Sequence, residues 1–152
     1  MRFENQNILV TGGMGGIGQA ICRAYAAEGG RVMVADLPQA LEAAQAFAAE
    51  LGHGASACVL DVTSEDQWIA AMDQIEAEFG RIDILVNNAG ITRDGLIMQL
   101  SDDNFNDVIG TNLRGSFNMI RAVSRTMLRQ KSGRICNISS VSGLTGNAGQ
   151  TN

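Results

Sequence analysis

TGGMGGIG, residues 11–18, decides the fold. Before it stands NILVT (7–11), a short apolar run with strand character. After it Ile17, Ala20, Ile21, Ala24 and Tyr25 recur at helical spacing. A strand therefore runs through a glycine loop into a helix. Glycines meet three demands there: a tight turn, a backbone that a pyrophosphate can approach, and a helix packed close to its strand. The first helical N–H groups and the partial positive charge of the helix end then face the anion. Two registers fit, Gly13-x-Gly15-x-x-Gly18 and Thr11-Gly12-x-x-x-Gly16-x-Gly18. The strand–turn–helix setting makes either one a dinucleotide-loop reading.

Working outward, apolar strands keep alternating with amphipathic helices. RVMVAD (31–36), ASACVLD (55–61), IDILVN (82–87) and RICNIS (134–139) read as four further strands. Ala40, Ala44, Phe47 and Leu51 mark a second helix. Ser64 to Gln67 has capping-box spacing before the stripe Trp68, Met72, Ile75 and Phe79, and Gly80 is placed to end that helix. Phe105, Val108, Ile109, Asn112, Leu113, Phe117 and Ile120 suggest one long helix. Near-continuous apolar strands imply a sheet covered on both faces, hence parallel. The alternation predicts one α/β domain over residues 1–152, a doubly wound parallel (Rossmann) sheet of about five strands.

Composition narrows the function classes. A net charge of −5 without a basic run argues against nucleic acid. No apolar stretch reaches the length of a membrane span, and the start is no signal peptide. Three widely spaced cysteines without a C-x-x-C pair suit reduced thiols in the cytoplasm. The only histidine, His53, lies among glycines and reads as surface loop, so no metal site is expected. A charged fraction of 18% is low and implies surface covered by a partner or by further chain.

The remaining candidates gather where the strands end. Asp36 closes the second strand, where a carboxylate can accept from the adenosine ribose hydroxyls and repel a 2′-phosphate. No Lys or Arg lies in the glycine loop to offset it. Asp36 can also cap the turn at Pro38, and the two roles are compatible. Asp61 and Val62 end the third strand, and NNAG (87–90) ends the fourth, which should lie beside the first. Asn112 interrupts an apolar stripe, so its amide either ties down backbone or holds a water. Ser139 and Ser140 end the fifth strand at the same sheet edge.

TGGMGGIG, NNAG, TNL around Asn112 and NISS, in this order, resemble the short-chain dehydrogenase/reductase family. NNAGITRDGLIMQL and GLTGNAGQTN further resemble its 3-oxoacyl-[acyl-carrier-protein] reductases and acetoacetyl-CoA reductases. The resemblance implies that Gly12, Gly16, Ile17 and Gly18 hold the pyrophosphate side and that Asp36 chooses the cofactor. It implies that Asp61 and Val62 contact the adenine, and that Asn87, Asn88, Ala89 and Gly90 support the nicotinamide half. Asn112 would anchor a water in a proton relay, and Ser140 would hydrogen-bond the substrate carbonyl. The implied substrate is an acyl thioester on acyl carrier protein or CoA, and the implied assembly is a homo-oligomer. Arg129, Lys131 and Arg134 either greet an acidic carrier or form a solvated helix end. Asp36 departs from the many NADPH-using members and points to NAD, with NADP disfavoured.

The resemblance also bears on NISSVSGLTGNAGQTN (137–152), where the sequence stops. The family completes its site with Tyr-x-x-x-Lys, whose tyrosine is expected immediately after Asn152. The only tyrosine here is Tyr25 and the only lysine Lys131. The implied reading is an N-terminal part lacking the last strands, inactive without the downstream tyrosine and lysine. A non-catalytic dinucleotide-binding module and another NAD-dependent alcohol, sugar or steroid dehydrogenase are the alternatives.

Overall fold

The computed structural model describes residues 1–152. Five parallel strands lie in the order β3-β2-β1-β4-β5: β1 Asn7–Thr11, β2 Arg31–Asp36, β3 Ser56–Val59, β4 Ile84–Asn87 and β5 Arg134–Asn137. Helices α1 (Gly16–Ala27) and α2 (Leu41–Leu51) cover one face. Helices α3 (Glu65–Phe79) and α5 (Ser116–Gln130) cover the other. α4 (Asp102–Val108) leads into α5 through a π-turn, Ile109–Gly115, and α6 (Ser142–Thr145) is a single turn after β5. Strand order reverses between β1 and β4, so their carboxyl ends open a crevice where ligands bind in such sheets.

The central strands have apolar side chains on both faces because both are roofed. Ile8, Val10, Val32 and Val34 pack under α1 and α2, while Leu9, Met33 and Leu85 pack under α3 and α5. Each is essentially buried, which contributes about 1.5–3 kcal/mol per side chain. β5 is an edge strand whose four residues are all exposed. At the opposite end of β2, Arg31 stacks 4.1 Å over the Phe79 ring and donates to the carbonyls of Gly54 and Glu78, tying three connections together. No helix is long and apolar enough to cross a membrane.

Four local expectations are corrected. α1 buries Gly18, Cys22 and Ala26, while Ile17, Ala20 and Ala24 face outward. The inward face carries small residues because the helix packs so close to the glycine loop that a Cβ on Gly18 would overlap the Gly12 carbonyl oxygen. The Ser64 hydroxyl makes no cap, and Gln67 Oε1 instead accepts from Asp61 N–H at 2.7 Å. The fifth strand ends at Asn137, with Ile138 N–H adding one last ladder bond to the Asn87 carbonyl. The long helix is broken in phase by its π-turn, whose wider winding rotates the succeeding turns away from 3.6-residue spacing. Val108 is buried as its place in the stripe predicts, but Phe105, Leu113 and Phe117 are exposed, and Met119, Val123 and Met127 are buried in their stead.

Candidate cofactor site

Thr11 ends β1 with a buried hydroxyl that organises the crevice. It donates to the Val86 carbonyl at 3.3 Å and accepts from the N–H groups of Asn88 and Ala89, both at 3.1 Å. Asn88 answers with its own amide, donating to the carbonyls of Thr11 at 3.1 Å and Gly12 at 3.0 Å. The β1 and β4 ends are thus pinned together. Gly12 sits at φ +62, and a Cβ there would come within 2.9 Å of Ala89 Cα. The second glycine register begins at Thr11, but spacing alone assigns its hydroxyl no role.

The glycine loop divides by function. Gly12 and Gly18 are required by the chain itself, as their close contacts show. Gly16 has nothing within 4 Å of where a Cβ would sit, so packing within the chain does not require a glycine there. It opens α1, whose first turn carries no acid to neutralise the positive helix end. A phosphate approaching the backbone fits that open side.

Asp36 braces backbone on both sides of the β2 end, although no side chain caps the turn that follows. Its Oδ2 accepts from Met14 N–H in the loop at 2.8 Å, and its Oδ1 accepts from Leu37 N–H at 2.8 Å, at the start of the turn Pro38–Ala40. It also borders a cavity of about 550 Å³ that runs past Asp61 and Val62 to Ala89 and Gly90. Asp61 Oδ1 is taken by the N–H and hydroxyl of Thr63 at 2.9 and 2.7 Å. Val62 is buried where the π-turn presses on the segment after β3: a Cβ on Gly115 would overlap it. Its carbonyl accepts from Asn118 Nδ2 at 3.1 Å.

That contact corrects the reading of Asn112. The buried amide of the helix is Asn118, and Asn112 is exposed, in the middle of the π-turn. Of its two readings, tying down backbone is the one observed: Oδ1 accepts from Ile91 N–H at 2.9 Å and Nδ2 donates to the Ile91 carbonyl at 3.0 Å. Ile91 lines the cavity, so Asn112 shapes its wall through that residue. Asn87 is 3% exposed; its Nδ2 donates to Asn137 Oδ1 at 2.8 Å, and its own Oδ1 has no donor in the chain.

Gly12, Asp36, Asp61, Val62, Ala89 and Gly90 therefore meet around one cavity. Gly16, Ile17 and Gly18 form the adjoining helix end, and Asn87, Asn88 and Asn112 lie behind the wall. Ser139 and Ser140 stand apart, exposed beyond β5; Ser140 Oγ accepts from Ser142 N–H at 3.2 Å, at the start of α6. Tyr25 packs edge-on to Phe3 with ring centroids 4.7 Å apart, and burial raises its pKa. It is no poised acid. Lys131 ends α5 in the left-handed region at φ 54.

Residues 6–152 match the short chain dehydrogenase family. The chain is 44% identical over 152 residues to the 3-oxoacyl-[acyl-carrier-protein] reductase FabG of Escherichia coli (strain K12), covering all of this chain and 62% of the relative. It is 43% identical to the protein of the same name from Vibrio harveyi and 40% to that from Thermotoga maritima, again over 62% of each. The chain thus spans under two thirds of the length of these curated relatives.

Proposed function

The chain belongs to the short-chain dehydrogenase family, and we propose that it binds NAD(H) as the cofactor-holding part of a cytoplasmic reductase of 3-oxoacyl thioesters. The observation that carries this is Asp36, a carboxylate at the end of β2 that both braces the glycine loop and borders the cavity. A 2′-phosphate there would face Asp36 with no cation in the loop, and the one cavity-lining arginine, Arg93, is paired with Asp107 at 3.4 Å. The cofactor supplies the hydride when bound. Gly16, Ile17 and Gly18 would hold its pyrophosphate, Asp61 and Val62 its adenine, and Asn87, Asn88, Ala89 and Gly90 its nicotinamide half. The unpaired Asn87 Oδ1 is an acceptor in the right region.

Ser140 would donate to the ketone oxygen as negative charge develops there. Asn112 would hold the wall beside it and, in the family's manner, a relay water. Reduction of a ketone also needs a proton for the new alkoxide. Tyr25 is built into the hydrophobic packing, so these 152 residues offer no tyrosine placed to give one. The second reading is a dinucleotide-binding module without turnover of its own. Acyl carrier protein or CoA would present the substrate, and copies of the chain would pair through the exposed face of Leu113 and Phe117.

The test is NADH oxidation with acetoacetyl-CoA by the chain extended with the Tyr-x-x-x-Lys segment of a relative. Ser140→Ala should lower kcat about 10²–10³-fold, and Ser139→Ala far less. Equal losses would place the carbonyl contact elsewhere; binding of NADH without turnover in the extended protein would favour the second reading.

A further inference from the structure

The segment after β5 does not trail away. Gln150 Nε2 donates to both carboxylate oxygens of Asp94, at 3.1 and 3.3 Å. Gly95 N–H donates to the Gly149 carbonyl at 2.8 Å, and Asn152 Nδ2 donates to the Arg93 carbonyl at 2.9 Å. The Gln150 amide is held at its other end as well, Oε1 accepting from Asn147 Nδ2 at 3.0 Å. The turn it docks on is itself fixed. Ile91 is clamped by Asn112, and Arg93 reaches Asp107 at 3.4 Å. Ile91, Arg93 and Asp107 all line the cavity.

The loop bearing Ser140 therefore has two anchors. One is the end of β5, through Ile138 and Asn87. The other is Asp94, on the cavity wall's own turn. We propose that Asp94 is a positioning residue whose contact with Gln150 straps the Ser140 loop to the wall of the cofactor cavity. The proposal deepens the reading of Ser140 as the carbonyl contact and rests on it for its purpose. The carboxylate accepts from the single Gln150 Nε2 through both oxygens, which holds that nitrogen between them. Without that contact, residues 139–152 would keep only the Gly95–Gly149 and Asn152–Arg93 bonds to that turn, with the single turn of α6 between them and β5.

Amide hydrogen exchange on the 152-residue chain tests this. Asp94→Ala should speed exchange at Gly95, Leu144 and Thr145 by about tenfold, leaving the amides of β1 and α1 unchanged. Gln150→Glu, which sets carboxylate against carboxylate, should do the same. The exchanged pair Asp94→Gln with Gln150→Asp restores a donor opposite an acceptor and should bring protection back, which a general loss of stability at these exposed positions would not. Unchanged exchange in the single variants, or an exchanged pair as open as either, overturns the proposal. NADH titration of the same samples separates the readings: wild-type chain that binds no NADH sinks the cofactor assignment while exchange still decides the strap.

Discussion

Asn88 donates twice to Thr11: its N–H to the Thr11 hydroxyl at 3.1 Å, and its Nδ2 to the Thr11 carbonyl at 3.1 Å. The pair closes the β1–β4 crevice at its floor and fixes the first turn of the glycine loop. Asn88→Ala strips a donor from the carbonyls of both Thr11 and Gly12 and should cost about 1–3 kcal/mol. Thr11→Val leaves two N–H groups without their acceptor and should cost a similar amount. Because the two share one network, denaturant melts of the double variant should show less than the summed loss. Strict additivity would mean the contacts act independently.

Cys22 and Cys58 are buried, and burial pushes both thiols from 9.0 up to about 12. The folded chain keeps protons that the unfolded chain loses above pH 9. Their contribution to stability is therefore complete below that pH and is lost as pH rises from 9 toward 12, by about 1.4 kcal/mol per unit for each thiol. Melts between pH 8 and 10.5 should show this slope, reduced in Cys58→Ala. Cys136 is exposed and should be alkylated in the native chain, with the other two reacting only on unfolding. Equal labelling of all three would contradict the packing.

The 152 residues expressed alone should self-associate. β5 offers an unpaired edge with four exposed residues, and the nearby helix exposes Leu113 (65%), Phe117 (57%) and Leu128 (77%). Light scattering should report oligomers or aggregate, diminished by Phe117→Glu. A monodisperse monomer with a cooperative melt is the opposing result.

Turnover should be absent from the same sample. NADH and acetoacetyl-CoA should yield no absorbance change above background, since Tyr25 stays packed on Phe3. Steady reduction would require some other group to protonate the alkoxide.

The architecture is legible in the sequence because the glycine loop and the apolar strands are local patterns read one at a time. The strand order β2-β1-β4 follows from the NNAG and glycine segments needing one crevice. Phases and caps are less legible. The helix stripe after residue 105 misleads because a π-turn leaves no local signature in apolar spacing, and the buried amide is Asn118. Gln67 bonds Asp61 N–H, while the Ser64 N–H that a capping box would offer it is already donated to the Asp61 carbonyl. Thr11 with Asn88, and Asp94 with Gln150, join residues 77 and 56 positions apart, which no periodicity reports.

Cofactor choice bears most directly on the role of Asp36. Calorimetric titration of the chain with NADH and with NADPH should give at least about tenfold tighter binding of NADH, the scale of a hydrogen bond to a charged group set against a repelled phosphate. Asp36→Ala should narrow that gap and weaken NADH as well, because Met14 N–H loses its acceptor in the loop. NADPH binding as tightly as NADH, or an Asp36→Ala chain with unchanged preference, would contradict the claim that this carboxylate both builds the loop and selects the ribose.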